Sequence, residues 1–89
     1  MLGSDLLVLK AECERALVRA LEDGKAHGYT DEWCTWLSAD DHLAHAYTHL
    51  QGARGSTPPD RLMHLQHALC RVAMALVRDD VPDCARGEN

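Results

Sequence analysis

The apolar residues of this chain recur at intervals of three and four, in three segments separated by stretches that contain Gly, Pro and Ser. An α-helix turns once in about 3.6 residues, so this spacing places the apolar side chains along one side of a helix. No stretch alternates apolar and polar residues in the way a half-buried strand does. The spacing therefore predicts an all-α fold made of three helices.

Local start and stop signals predict where each helix begins and ends. Ser38 followed three residues later by Asp41 resembles a capping box at the start of the second helix. Pro58 and Pro59 before Asp60 start the third helix, because Pro is well tolerated in a first turn and Asp favours the positive end of a helix. The predicted helices cover about residues 5–27, capped by Ser4 or Asp5, about 39–51, and about 59–80.

A length of 89 residues allows one domain. We expect a single small helical domain over 1–82 and a polar, flexible C-terminal tail over 83–89. The short connection between the second and third helices predicts an antiparallel helical hairpin. Phe is absent and aromatic residues make up only 4%, so the core must consist of Leu, Val, Ala and Met. Small cores of this kind are often completed by self-association, so we expect a homodimer.

Charge and cysteine content exclude several classes of protein. A formal net charge of −5 argues against general DNA binding, which requires a basic surface. No apolar run approaches the ~20 residues of a membrane span. The four cysteines form no Cys-x-x-Cys pair, and the N-terminus lacks the basic region of a signal peptide. We therefore expect reduced thiols and a cytoplasmic protein.

The pattern His-Leu-x-His-Ala occurs twice, at 42–46 and at 64–68. In an antiparallel hairpin whose loop is centred near Ser56, residue 45 lies level with residue 67. The two His pairs are then predicted to lie at about the same height. The Leu and Ala of each copy are predicted to face the core, with the histidines along its flank.

A metal site is one interpretation of the first copy. His42, His45 and His49 lie at i, i+3 and i+7 on one helix, and the pair His45 and His49 has a spacing that can chelate one divalent metal ion. The alternative is a row of solvated or hydrogen-bonded histidines at the helix margin. No His-Glu-x-x-His sequence accompanies the row, which favours this alternative and no cofactor.

An anion site is the corresponding interpretation of the second copy. His64, His67, Arg71 and Arg78 form a narrow polar stripe on a helix that is apolar almost all round, and together they could bind a phosphate. The alternative is a solvent-exposed stripe with no ligand, which every helix of a soluble bundle needs.

Trp33 and Trp36 are the candidate partner-binding residues, because Trp is enriched in the energetically dominant parts of interfaces. They could equally close one end of the small core. Serine nucleophiles, Gly-rich phosphate loops and paired catalytic carboxylates are not found in the sequence.

These residues resemble the helical domain of small phage-encoded dATP/dGTP diphosphohydrolases. Tyr29 and Trp33 are similar to that domain's Tyr-Trp element, and His45 with Gly52 is similar to its helix with a His seven residues before a Gly. Residues 64–71 resemble its last helix, which begins His-Leu-Ala-His-Ala. The resemblance implies an all-α nucleotide hydrolase that uses a divalent metal ion.

The resemblance spans about residues 27–76 but fails in the loop at 55–60. The family has Asp, Glu, Ser and Gly there, whereas Asp60 is the only carboxylate in this loop. Hydrolysis of a nucleoside triphosphate needs a hard cation held by carboxylate oxygens. The sequence therefore favours a relative that keeps the scaffold without the chemistry.

The sequence thus predicts a non-catalytic, small helical binding protein of phage or mobile-element type. Its ligand would be a host protein or a nucleotide, and inhibition of a host defence system is the use that the family context implies. One alternative is a metal-dependent nucleotide diphosphohydrolase. The other is a helical bundle with a structural metal ion bound by histidines.

Overall fold

The computed structural model describes residues 2–28, 33 and 37–81. Within these residues the chain forms three α-helices and no strand, which confirms the predicted all-α class. α3 packs against both other helices, whereas α1 and α2 do not contact each other within the described ranges. The helices are α1, Leu2–Ala26; α2, Ala39–Arg54; and α3, Asp60–Asp80.

α1 begins earlier than the predicted caps Ser4 and Asp5, which therefore lie inside its first turns. Its second half packs on α3 through the buried Ala16 and Ala20. Its first half, from residue 3 to residue 12, is exposed on every side. This exposed half includes four consecutive large apolar residues, Leu6, Leu7, Val8 and Leu9.

α2 begins with the predicted capping box. The backbone N–H of Asp41 donates to the Ser38 hydroxyl at 3.1 Å, and the backbone N–H of Ser38 donates to the Asp41 carboxylate at 2.9 Å. These two hydrogen bonds satisfy N–H groups that have no partner within the helix. They also lower the pKa of Asp41, with the bond from the Ser38 backbone as the largest cause. The helix ends at Arg54, three residues beyond the predicted end.

α2 and α3 form the predicted antiparallel hairpin. Arg78 contacts Leu37, Arg71 contacts His42 and His64 contacts His49, so residue numbers fall along α3 as they rise along α2. The register agrees with the prediction to within about one turn, since residue 45 is expected level with residue 67 and the observed pairs are His42 with Arg71 and His49 with His64.

The packed surfaces of the helices consist mainly of small side chains. Ala46 and Ala68 are each 3% exposed, so the Ala of each His-Leu-x-His-Ala copy faces the core as predicted. The prediction for the Leu of each copy is wrong, because Leu43 is 48% and Leu65 is 44% exposed. The buried apolar residues are Ala16, Ala20, Ala46, Ala53, Ala68, Cys70 and Ala75.

Cys13 and Cys70 are free thiols, and burial raises the pKa of Cys70. Within the described ranges, none of the helices combines the length and the apolar character that a membrane span requires. Several predictions fall on residues outside the described ranges, namely those for Tyr29, Cys34, Trp36, Cys84 and the tail at 83–89.

Ser38→Ala is expected to lower the free energy of unfolding by about 1 kcal/mol, because it removes the capping hydrogen bond to the backbone of Asp41. Urea unfolding followed by circular dichroism measures this. Ser4→Ala is the matched control: Ser4 is exposed inside α1, where Ala is the better helix former, so stability should not fall. Equal stabilities for the Ser38→Ala protein and the wild type would contradict the role of the capping box.

Candidate functional site

The polar stripe predicted on α3 faces inward. We call the set His42 and His49 of α2 with His64, Arg71 and Arg78 of α3 the polar seam. Each α3 member contacts a group outside its own helix, and none of the three is fully exposed. The stripe is therefore part of the packing between α2 and α3 and not a solvent-facing strip.

His42 is the most deeply buried side chain of the seam, with 0% exposure. Its Nδ1 lies 3.1 Å from Nη1 of Arg71, and its Nε2 lies 3.2 Å from the carbonyl oxygen of Trp33. Arginine can only donate, so Nδ1 accepts and Nε2–H donates to the carbonyl, which makes the ring neutral. Burial is the largest influence and lowers the pKa of His42; the bond to the Trp33 carbonyl raises it in part, and the charges of Arg71 and Arg78 lower it.

His49 lies between two histidines of α3. Its Nδ1 is 3.2 Å from Nδ1 of His64, and its ring centroid is 5.1 Å from that of His67. Of the two facing Nδ1 atoms, one must donate and the other accept, so at least one of these rings is neutral. Burial lowers the pKa of His49, and the neighbouring His67 and His64 lower it further.

His67 connects the hairpin to α1. Its Nε2 lies 3.2 Å from Oδ2 of Asp23, whose other carboxylate oxygen is 3.7 Å from Arg19. This contact is a polar link between α1 and α3, and it lies next to the ring of His49.

The structure therefore brings the four predicted anion-binding residues to one side of α3 but gives each a protein partner. His64 contacts His49, His67 contacts Asp23 and Arg71 donates to His42. Arg78 donates its Nε–H to the carbonyl oxygen of Leu37 at 2.8 Å.

The three predicted metal ligands are separated. His42 is buried with both ring nitrogens hydrogen-bonded, and His49 faces α3. His45 is exposed and lines a shallow depression with Asp41 and Thr48. In the part of the chain that the structure describes, no group of three or more His, Cys, Asp or Glu residues is arranged to hold a metal ion.

Trp33, one of the two predicted partner-binding residues, is half-buried. Its ring packs edge-on against His42, with the centroids 5.9 Å apart, and its carbonyl accepts the hydrogen bond from that histidine. Trp33 therefore covers His42 within the polar seam.

A surface that the sequence reasoning missed lies on the outside of the hairpin. Leucines assigned to the core are exposed there, and with one Tyr and one Val they make up a surface that we call the apolar face. Its members are between 44% and 63% exposed and are Leu43, Tyr47 and Leu50 of α2 with Leu62, Leu65, Val72 and Leu76 of α3.

Helix geometry explains why both helices contribute to the same face. Most members of the apolar face come one position after a residue that lies between α2 and α3. This holds for residues 43, 47 and 50 of α2 and for residues 65, 72 and 76 of α3. One position is a rotation of about 100° about the helix axis. Because the helices are antiparallel, the two rotations have opposite senses in space and point to one side. His67 comes one position before the buried Ala68, so it points to the side opposite the apolar face. Because His67 contacts Asp23 of α1, α1 covers that opposite side.

One signal in the sequence could have revealed this face. Residues 62, 65, 69, 72 and 76 are all apolar at alternating intervals of three and four, and 64, 68, 71, 75 and 78 follow the same intervals with His, Ala and Arg. α3 thus carries two complete stripes, and either could have been packed against α2.

Comparison of the chain with protein-family models, with curated proteins and with solved structures gives no match. The resemblance to the dATP/dGTP diphosphohydrolase domain therefore stays a prediction.

Acidification is expected to destabilise the fold below pH 6.5. The folded state lowers the pKa of both His42 and His49, so the unfolded chain binds more protons between the folded pKa values and about 6.5. The free energy of unfolding is therefore at its full value above about pH 6.5 and falls as the pH drops through the pKa values of His42 and His49 in the folded state. Urea unfolding at about pH 7.5 and about pH 5.5 measures this difference.

His49→Gln should reduce the dependence of stability on pH, whatever its effect at neutral pH. His45→Gln is the control, because His45 is exposed on the same helix and its replacement should change the dependence less than His49→Gln does. A wild-type stability that is constant or rises on acidification would refute the lowered pKa values of His42 and His49.

Gly52→Ala is expected to destabilise the hairpin, although the same change in an exposed helix normally stabilises by about 1 kcal/mol. A Cβ at residue 52 would lie 2.8 Å from Cε1 and Nε2 of His64, whose ring also contacts His49. Gly3→Ala is the control, since no atom lies within 4 Å of a Cβ there.

Thermal unfolding measures both changes. In a His64→Ala background the penalty of Gly52→Ala should shrink or reverse, because the clashing ring is gone. A gain in stability from Gly52→Ala in the wild-type background would show that the His64 ring moves away freely.

Proposed function

We propose that this chain is a non-catalytic helical binding protein that acts by associating with another protein surface through the apolar face. The observation that carries this proposal is the exposure of the seven apolar residues that form the face. Both the homodimer expected from the sequence and the host protein implied by the family resemblance require such a surface.

The size of the face supports a protein partner. At the full surface areas usual for these residue types, the exposed fractions amount to roughly 700 Å² per chain, close to the ~800 Å² that each partner contributes to a standard interface. The largest apolar patch of a typical monomer is about 300–600 Å². A face of this size is therefore expected to be covered when the protein functions.

The polar seam gives less support to the nucleotide-binding and hydrolase alternatives. Its histidines and arginines are hydrogen-bonded between helices, and the described residues hold no group arranged for a metal ion. Binding and hydrolysis of a nucleoside triphosphate would need an open cationic pocket with a carboxylate-bound metal ion. We therefore assign the seam a structural role and the apolar face the binding role.

Photo-crosslinking tests the proposal at single positions. A photoreactive phenylalanine analogue replaces Val72, on the apolar face, or Val18, which is similarly exposed on α1. We expect protein adducts from position 72 and not from position 18, whether the adduct is to a second copy or to a different protein.

Equal labelling at both positions, or no adduct at position 72, would overturn the proposal. Release of pyrophosphate from dATP or dGTP in the presence of Mg²⁺ or Mn²⁺ would instead support the diphosphohydrolase alternative and contradict a non-catalytic role.

A further inference from the structure

We infer that the apolar face is covered by a second copy of this chain, with the two α3 helices packed antiparallel about a two-fold axis near Leu69 and Tyr47. This inference rests on the proposed function and names the partner. Three properties of the face indicate that its partner is a second copy of the chain: the repeat of its apolar residues, its symmetry and the charges at its two ends.

The repeat is that of a helix–helix seam. Leu62, Leu65, Leu69, Val72 and Leu76 alternate at intervals of three and four, which is the spacing at which apolar side chains interlock between two helices. Four of the five are exposed in the single chain. A second helix with the same spacing is the surface that fits this stripe, and α3 itself provides one.

The face is symmetric about its own middle. On α3, Leu62 and Leu76 lie seven residues on either side of Leu69, and on α2 Leu43 and Leu50 lie four and three residues on either side of Tyr47. The hairpin register, in which 42 faces 71 and 49 faces 64–67, places Tyr47 level with residues 66–69 and so within about one turn of Leu69.

A single two-fold axis perpendicular to the helices can therefore superpose both stripes on their own copies. Leu62 then lies over Leu76 of the second copy, Leu65 over its Val72 and Leu43 over its Leu50. This self-complementarity is what an isologous dimer interface needs, because the same surface must serve as both partners. A different protein would need a surface of its own with the same spacing and length to match the apolar face.

The charges at the ends of the face favour this orientation. The loop end carries the exposed Arg54 and Arg61, and the opposite end carries the exposed Asp40, Asp79 and Asp80. With the axis at Tyr47 and Leu69, Arg54 lies level with Asp40 of the second copy, and Arg61 lies within about one turn of its Asp79. The alternative two-fold axis, parallel to the helices, would bring the arginines of both copies together at one end.

Sedimentation equilibrium of the full chain tests the inference. We expect a dimer of twice 9.9 kDa with a Kd of about a micromolar or tighter, as is usual for interfaces of this area. Leu65→Glu should raise the Kd by at least about 100-fold, because the two-fold axis places two charges in the apolar interface. Leu7→Glu, at an exposed apolar position of α1, should leave it unchanged.

Charge reversal tests the orientation with variants that leave the apolar residues intact. Arg61→Glu should raise the Kd about tenfold, since each of the two symmetric pairs exchanges attraction for repulsion, and Asp79→Arg added to it should restore the Kd. In the alternative orientation Arg61→Glu would strengthen the dimer. Far-UV circular dichroism confirms that each variant is folded.

A wild-type chain that is monomeric at about 100 µM would overturn the inference, because this is far above the expected Kd. So would a dimer that Leu65→Glu leaves intact, or one that Arg61→Glu strengthens. If the chain is monomeric but position 72 still crosslinks to a different protein, the inference fails and the proposed function stands. If position 72 yields no adduct at all, both fail.

Discussion

The packing of α2 against α3 depends on the buried imidazole of His42. This ring has no contact with solvent, and its two nitrogens are used by Arg71 and by the Trp33 carbonyl. An unsatisfied polar group at this position would be costly, so the three groups must stay together. The small side chains of Ala46 and Ala68 let the helices approach closely enough for these contacts.

Placing a polar seam inside the hairpin determines what lies outside. A helix has room for a limited number of packed stripes, and on α3 the stripe with His, Ala and Arg faces α2 while a neighbouring one faces α1. The Leu stripe is left on the surface. The buried groups that hold the hairpin together are therefore small apolar and hydrogen-bonded side chains, and the large apolar side chains of this stripe are exposed.

The sequence predicted the helices well and the helix faces poorly. The capping residues Ser38 and Asp41, and the end of α3 at Asp80, came from local signals that act over one turn, and the structure has them as predicted. The surroundings of the candidate ligands were not predictable in the same way: His42 and His49 contact different residues of α3, and His45 is exposed. Side-chain spacing along one helix cannot reveal which neighbouring helix each residue meets.

The sequence by itself determined that the chain is helical, where its second and third helices lie and that these two form a hairpin, because caps, spacing and loop length are local properties. Only the tertiary structure decided that His64 and Arg71 are inside and that Leu65 and Leu76 are outside. The physical reason is that two stripes of α3 have the same helical repeat. The choice between them depends on the partners that α2 and α1 supply, namely His42, His49 and Asp23.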